Sequence, residues 1–154
     1  MAYRNGKLPQ SALSTIPGGQ LAKGSPARSW LAMRWYVQKK TGVWIYPTGP
    51  NSSYRTLAKQ QEFWKAYTSG KGPLAARPGS SNHGIGKAVD VPLPAQQEAL
   101  RKYAHLFDWG IAGGKLSSDA PSEPWHVTFR GGSNVSGTAR VWYFRYRLAR
   151  RKNR

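Results

Sequence analysis

The sequence predicts an α+β fold, a small antiparallel sheet packed with about three helices, on three observations. Three stretches repeat apolar residues at helical spacing, and short β-branched or aromatic runs alternate in the manner of strands. A length of 154 residues with 39% hydrophobic content, including 7 Trp, 8 Tyr and 4 Phe, builds one core rather than two.

Residues 1–24 are rich in Gly, Pro, Ser and Gln and show little periodicity, so an extended N-terminal arm lying on the domain is expected. Ser25-Pro26 then offers a cap with proline in the first turn, and Trp30, Leu31, Met33, Trp35 and Val37 give an apolar face that ends at Gly42. This predicts a helix over 26–41. Val43-Trp44-Ile45-Tyr46 suits a short strand closed by Pro47. A second helix is predicted over 54–68, carrying Leu57, Phe63, Trp64 and Tyr67. The glycine-rich stretch 69–86 is a loop, and His83 lies in it. Ala88 to Val91 reads as a strand with Val89 and Val91 on one face and Asp90 on the other. A third helix spans 95–107, and Trp125 to Phe129 forms another strand with His126 and Thr128 opposite Val127 and Phe129. The domain organisation read from this is an arm over 1–24, a catalytic domain over 25–136 and a basic, aromatic tail over 137–154.

Charge and scarcity direct the functional reading. The chain holds 24 Lys and Arg against 6 Asp and Glu, a net charge of +18, which calls for an anionic partner or surface. There is no cysteine, so any metal must be held by histidine and carboxylate. The N-terminal run lacks the apolar stretch of a secretory signal, and no window is long and apolar enough to span a bilayer.

If the valines and Phe129 of the two later strands face the core, Asp90 and His126 share the opposite face. His83, seven residues before Asp90 on a flexible loop, reaches the same place. Two imidazoles and one carboxylate are a catalytic zinc set, because three protein ligands leave a fourth tetrahedral position open for water. Glu123 lies three residues before His126 and would face away from it in a regular strand, so a bend at Pro124-Trp125 is required for both to meet one site. A glutamate so placed serves as general base. Arg55, near the start of the second helix, supplies a guanidinium for a substrate carboxylate or a developing oxyanion. His105 has no acidic partner in register and is left out of the site.

Ser81-Asn82-His83-Gly84-Ile85-Gly86-Lys87-Ala88-Val89-Asp90 resembles the Ser-x-His-x-x-Gly-x-Ala-x-Asp signature of the D-alanyl-D-alanine carboxypeptidase family, whose zinc fold is shared with the hedgehog signalling domain. Glu123-Pro124-Trp125-His126 is similar to its Glu-x-Trp-His motif, and Ser53-Tyr54-Arg55-Thr56 with Gln60 to its Ser-Gly-Tyr-Arg-Ser segment. The resemblance covers 25–130 and implies one Zn2+ on His83, Asp90 and His126, Glu123 as base and Arg55 as the cationic contact. It implies Ser81 as a site-lining polar residue; Tyr54 and Gln60 are candidates for substrate binding or for packing and capping, and Trp125 for the cleft border or the core. Ser53 departs from the family glycine.

With its basic charge and no signal peptide, the chain most resembles the peptidase domains of bacteriophage endolysins, made in the host cytoplasm and acting at the cell wall. The implied activity is cleavage of a peptidoglycan stem peptide, as D-alanyl-D-alanine carboxypeptidase or L-alanyl-D-glutamate endopeptidase, by a monomer. The competing reading is a non-catalytic zinc-fold module that binds cell wall or nucleic acid, and Glu123 argues against it. The aromatic, cationic tail admits three readings: binding to anionic envelope polymers or lipid headgroups, binding to nucleic acid, or a disordered linker. The envelope reading is preferred, since a nucleic-acid protein leaves both motifs without a purpose.

Overall fold

The computed structural model describes residues 2–153, so Arg154, counted with the tail, lies outside the described residues. Among those residues are four α-helices and two two-stranded antiparallel sheets. The central helix α1, Ser25–Thr41, buries Trp30, Met33 and Val37 completely, with Trp30 packed edge-on to Trp109 at 5.1 Å. It begins at Gly24, whose φ of 97° is glycine territory, and the Ser25 hydroxyl donates to the Ser133 carbonyl rather than capping the helix.

The arm expected over 1–24 is more than an extended segment. Leu13–Ile16 (β1) and Gly19–Ala22 (β2) form a hairpin around Pro17-Gly18, where Gly18 takes the positive φ of 88° that such a turn needs. Leu13, Ile16 and Leu21 enter the core, and this burial fixes the hairpin on the body. The strand expected at Val43–Tyr46 does not pair. Side chains take its carbonyls instead, Arg34 Nε donating to Ile45 O and Gln96 Nε2 to Trp44 O.

Helix α2, Leu57–Thr68, is capped by the Thr56 hydroxyl, which accepts from Lys59 N, so Arg55 sits in the extended lead-in and not in the helix. The expected third helix is α3, Pro94–Tyr103, followed by a 3-10 turn over Ala104–Phe107. The ligand-bearing sheet pairs β3, Ala88–Asp90, with β4, His126–Thr128, in the register Ala88 to Thr128, Val89 to Val127 and Asp90 to His126. Val89, Val91, Val127 and Phe129 are in the core, as the alternation required.

Within the tail, Gly137–Lys152 forms helix α4, which removes the disordered-linker reading for that stretch. The Ser136 hydroxyl caps it by accepting from Ala139 N at 3.1 Å, Ala139 is buried, and Trp142 packs edge-on against Tyr36 of α1 at 4.9 Å.

Candidate metal centre and active site

Asp90 and His126 are direct partners across the β3–β4 ladder, so both side chains leave the sheet together. His83 comes from a 3-10 turn over Asn82–Ile85, capped by the Ser81 hydroxyl at its start and by Gly86, φ 67°, at its end. A Cβ on Gly86 would overlap the Ala22 backbone, and one on Gly84 would overlap the Asn5 side chain. Glycine at both places therefore lets the turn lie flat on the N-terminal segment.

The three groups converge. One ligand atom from each of His83, Asp90 and His126 lies within 4.8 Å of the others. His83 Nε2 is 3.3 Å from Asp90 Oδ2, and His126 Nδ1 is 2.8 Å from Asp90 Oδ1. A tetrahedral ion with bonds of about 2 Å holds its ligands about 3.3 Å apart, a spacing that two imidazoles and a carboxylate grouped this closely can meet with modest adjustment.

Each imidazole is oriented by its other nitrogen. His83 Nδ1 lies 2.8 Å from the Ser53 carbonyl, which turns Nε2 toward Asp90. His126 Nε2 lies 3.0 Å from Asp119 Oδ2, and Asn82 Nδ2 donates to the same oxygen at 2.9 Å. Asp119 went unnoticed in the sequence, although it is one of only six acidic residues and their scarcity was a usable signal. Ser53, noted only as a departure from glycine, is fully buried and its hydroxyl also accepts from Gln20 N at 3.0 Å.

Electrostatics follow from this packing. Burial alone would raise the Asp90 carboxyl, but hydrogen bonds from His126 and His83 hold it well below the usual carboxylate range. Burial likewise opposes the ionisation of Asp119, yet His126 and Asn82 hold its pKa down to about 2. Burial disfavours charge on His126, and the hydrogen bonds to Asp119 and Asp90 overcome it, raising the imidazole to about 9.

Glu123 is half-buried with Oε2 4.0 Å from His126 Nδ1. The chain turns sharply here, His126 N donating to the Glu123 carbonyl at 3.2 Å across Pro124-Trp125, so the bend the sequence demanded is present. Burial raises the Glu123 carboxyl, with the Asp90 and Asp119 charges adding to that and His126 and His83 opposing it. Arg55 puts its guanidinium 3.7 Å from Asp90 Oδ2, anchored by Nε donating to Asn51 O at 2.9 Å and by stacking over Phe63 at 4.6 Å.

The remaining predicted side chains divide. Trp125, half-exposed, borders an open cleft of about 340 Å3 beside Asp90 together with Thr48, Ser52 and Gln97. Tyr54 is turned away, its hydroxyl accepting from Leu8 N at 3.0 Å. Gln60 is buried and bridges Asn5, the Arg55 carbonyl and Gly79 N, while Ser81 accepts from His83 N. These three hold segments together and are not among the residues that line that cleft.

Comparison with known proteins returns the same fold. The LdcB LD-carboxypeptidase, described for its peptidoglycan recognition, superposes with a TM-score of 0.63 at 20% identity, over 91% of this chain and 76% of that one. VanYB in complex with D-alanine-D-alanine gives a TM-score of 0.56 at 21% identity, over 89% and 83%. The D,D-pentapeptidase VanY from a VanB-type vancomycin-resistance cassette, in complex with Zn(II), gives 0.54 at 19%, over 90% and 92%. No curated protein matches the chain by sequence. The VanY family model, D-alanyl-D-alanine carboxypeptidase, matches residues 32–132, well over half of the chain and the whole of the metal centre. The chain therefore belongs to the VanY family of D-alanyl-D-alanine carboxypeptidases.

Proposed function

We propose that the protein is a zinc peptidase that hydrolyses a peptide bond of the peptidoglycan stem, releasing a terminal D-alanine. The observation that carries this is a three-donor cluster whose Asp90 borders an open cleft, with the Glu123 carboxyl 4.0 Å from one of its histidines. His83, Asp90 and His126 would hold the ion, and Asp119 and Ser53 aim the two imidazoles. Zn2+ bound there would supply a Lewis acid for the scissile carbonyl and lower the pKa of the attacking water.

Glu123 takes a proton from the attacking water and returns it to the leaving amine. Its raised carboxyl narrows the gap to neutral pH, which suits both transfers. Arg55 presents fixed positive charge to the terminal carboxylate of the peptide or to the oxyanion. That preference for a free carboxylate, together with the D-alanine-D-alanine seen on VanYB, favours the carboxypeptidase over the L-alanyl-D-glutamate endopeptidase. The net charge of +18 supports a lysin that works on the anionic cell wall, with activity on whole walls falling as salt screens the attraction.

The test is digestion of purified peptidoglycan by the native protein, a chelator-treated sample and the Glu123→Ala variant, with fragments identified by mass. Free D-alanine from the native protein is expected, with release at least about 100-fold slower from the variant. Equal release by all three would refute the zinc mechanism, and intact stem peptides freed from glycan would replace the carboxypeptidase with the endopeptidase.

A further inference from the structure

Helix α4 carries six cations, Arg140, Arg145, Arg147, Arg150, Arg151 and Lys152, and no acidic residue. A solvated charged helix has no use for exposed hydrophobes, yet Val141, Phe144 and Leu148 are 53%, 63% and 42% exposed. At about 100° per residue these three fall within roughly 60° of one another on the side opposite Ala139, Trp142 and Tyr143. The inner stripe anchors the helix: Ala139 is buried, and Trp142 and Tyr143 pack on the core. The outer stripe is turned to solvent and, with Arg140 and Arg145, lines a shallow open groove of about 530 Å3. By the same angular count Arg140 and Arg151 flank it on one side and Arg145 and Lys152 on the other.

We infer that the outer face of α4 docks on an anionic lipid surface, its apolar stripe entering the boundary between headgroups and acyl chains while the flanking arginines pair with phosphates. An apolar ridge bordered on both sides by cations is the pattern of an interfacial helix. A polyanion such as nucleic acid or a wall polymer accounts for the charge but gives Phe144 and Leu148 no apolar medium to enter. A second copy of this chain would set two faces of like charge against each other, so self-association is disfavoured. The helix is too polar to cross a membrane, and among the described residues no helix is long and apolar enough to do so. The inference is independent of the peptidase reading, because none of these residues contacts the metal cluster.

Co-sedimentation of the full chain with vesicles of phosphatidylglycerol and phosphatidylcholine, against pure phosphatidylcholine, tests it at about 0.15 M salt. Binding to the anionic vesicles alone is expected. The Phe144→Ser/Leu148→Ser and Arg145→Gln/Arg151→Gln variants should each weaken it about tenfold or more. Unchanged circular dichroism and unchanged cleavage of a soluble peptide would show that both variants fold. Three results would overturn the inference: no binding to anionic vesicles, equal binding to neutral ones, or binding that the Phe144→Ser/Leu148→Ser change leaves intact, which would mark a site for polyanions. Loss of a dimer as the only effect of that change would likewise replace the lipid with a second copy.

Discussion

The two ends of the chain relate to the metal centre in opposite ways. The N-terminal segment contributes no ligand, yet it forms the wall against which the His83 turn is built: Gly6 N donates to Gly84 O at 2.7 Å, Ala22 N to Gly86 O at 3.0 Å and Asn5 Nδ2 to Ser81 O at 2.8 Å. Helix α4 holds the densest charge and aromatic content and meets α1 instead, far from the ligands in its contacts. Chemical conspicuousness in the sequence and mechanical importance to the site are therefore separate properties. A bland segment supplies backbone groups, and backbone groups are what position a loop.

The contrast can be broken by substitution. Gly84→Ala should have the largest effect, since its methyl would strike Asn5: stability falls by about 2–3 kcal/mol and zinc affinity falls with it, read by denaturant unfolding and by competition with a metal dye. Asp119→Ala, in neither end, should lower zinc affinity about 10- to 100-fold by freeing the His126 ring. A smaller change would place the orientation of His126 in the sheet rather than in Asp119. Asn5→Ala should cost about 1–2 kcal/mol through the lost bonds to Ser81 and Gln60. Arg147→Gln in α4, by comparison, should shift stability by less than about 0.5 kcal/mol and leave zinc affinity unchanged. If Asn5→Ala proved as silent as Arg147→Gln, the buttressing role of the N-terminal segment would be lost.

A pH series sharpens the same picture. In the metal-free protein His126 is raised from 6.5 to about 9, so its stabilisation is complete below 6.5 and disappears as pH climbs through 9. Asp119, lowered from 3.8 to about 2, contributes above 3.8 and ceases to do so as pH falls through 2, and Asp90 acts in the same direction. Chelated protein should therefore melt highest between about pH 4 and 6.5 and lose stability toward pH 9. With zinc bound, His126 carries no proton at Nδ1 and the alkaline loss should vanish, which paired thermal melts would detect.

How much of this was legible varies with the kind of signal. The ligands and Glu123 were readable because β alternation and ordered motifs agreed, and the Pro124-Trp125 bend followed from the geometry they required. The hairpin at 13–22 was missed because Gly and Pro were read as absence of structure, although Ile16-Pro17-Gly18-Gly19 is a turn with strands on either side. Helix α4 was obscured by its charge, which hid the helical spacing of Ala139, Trp142, Tyr143 and Tyr146. The Val43–Tyr46 strand failed for a reason no propensity contains: the partners of its carbonyls are side chains of α1 and α3. For Tyr54 and Gln60 the motif left substrate binding and packing open, and hydrogen bonds to Leu8, Asn5 and Gly79, which no sequence pattern carries, determine where they point.

The pairing of residue 6 with residue 84 also bears on time. Contacts that span so much of a chain form late, because the intervening loop must close before they are rewarded. The bonds of Asn5, Gly6 and Ala22 to the His83 turn need both segments in place, so the ligands should acquire their geometry only after the two meet. Activity should thus be the last property recovered on refolding, lagging behind helix content.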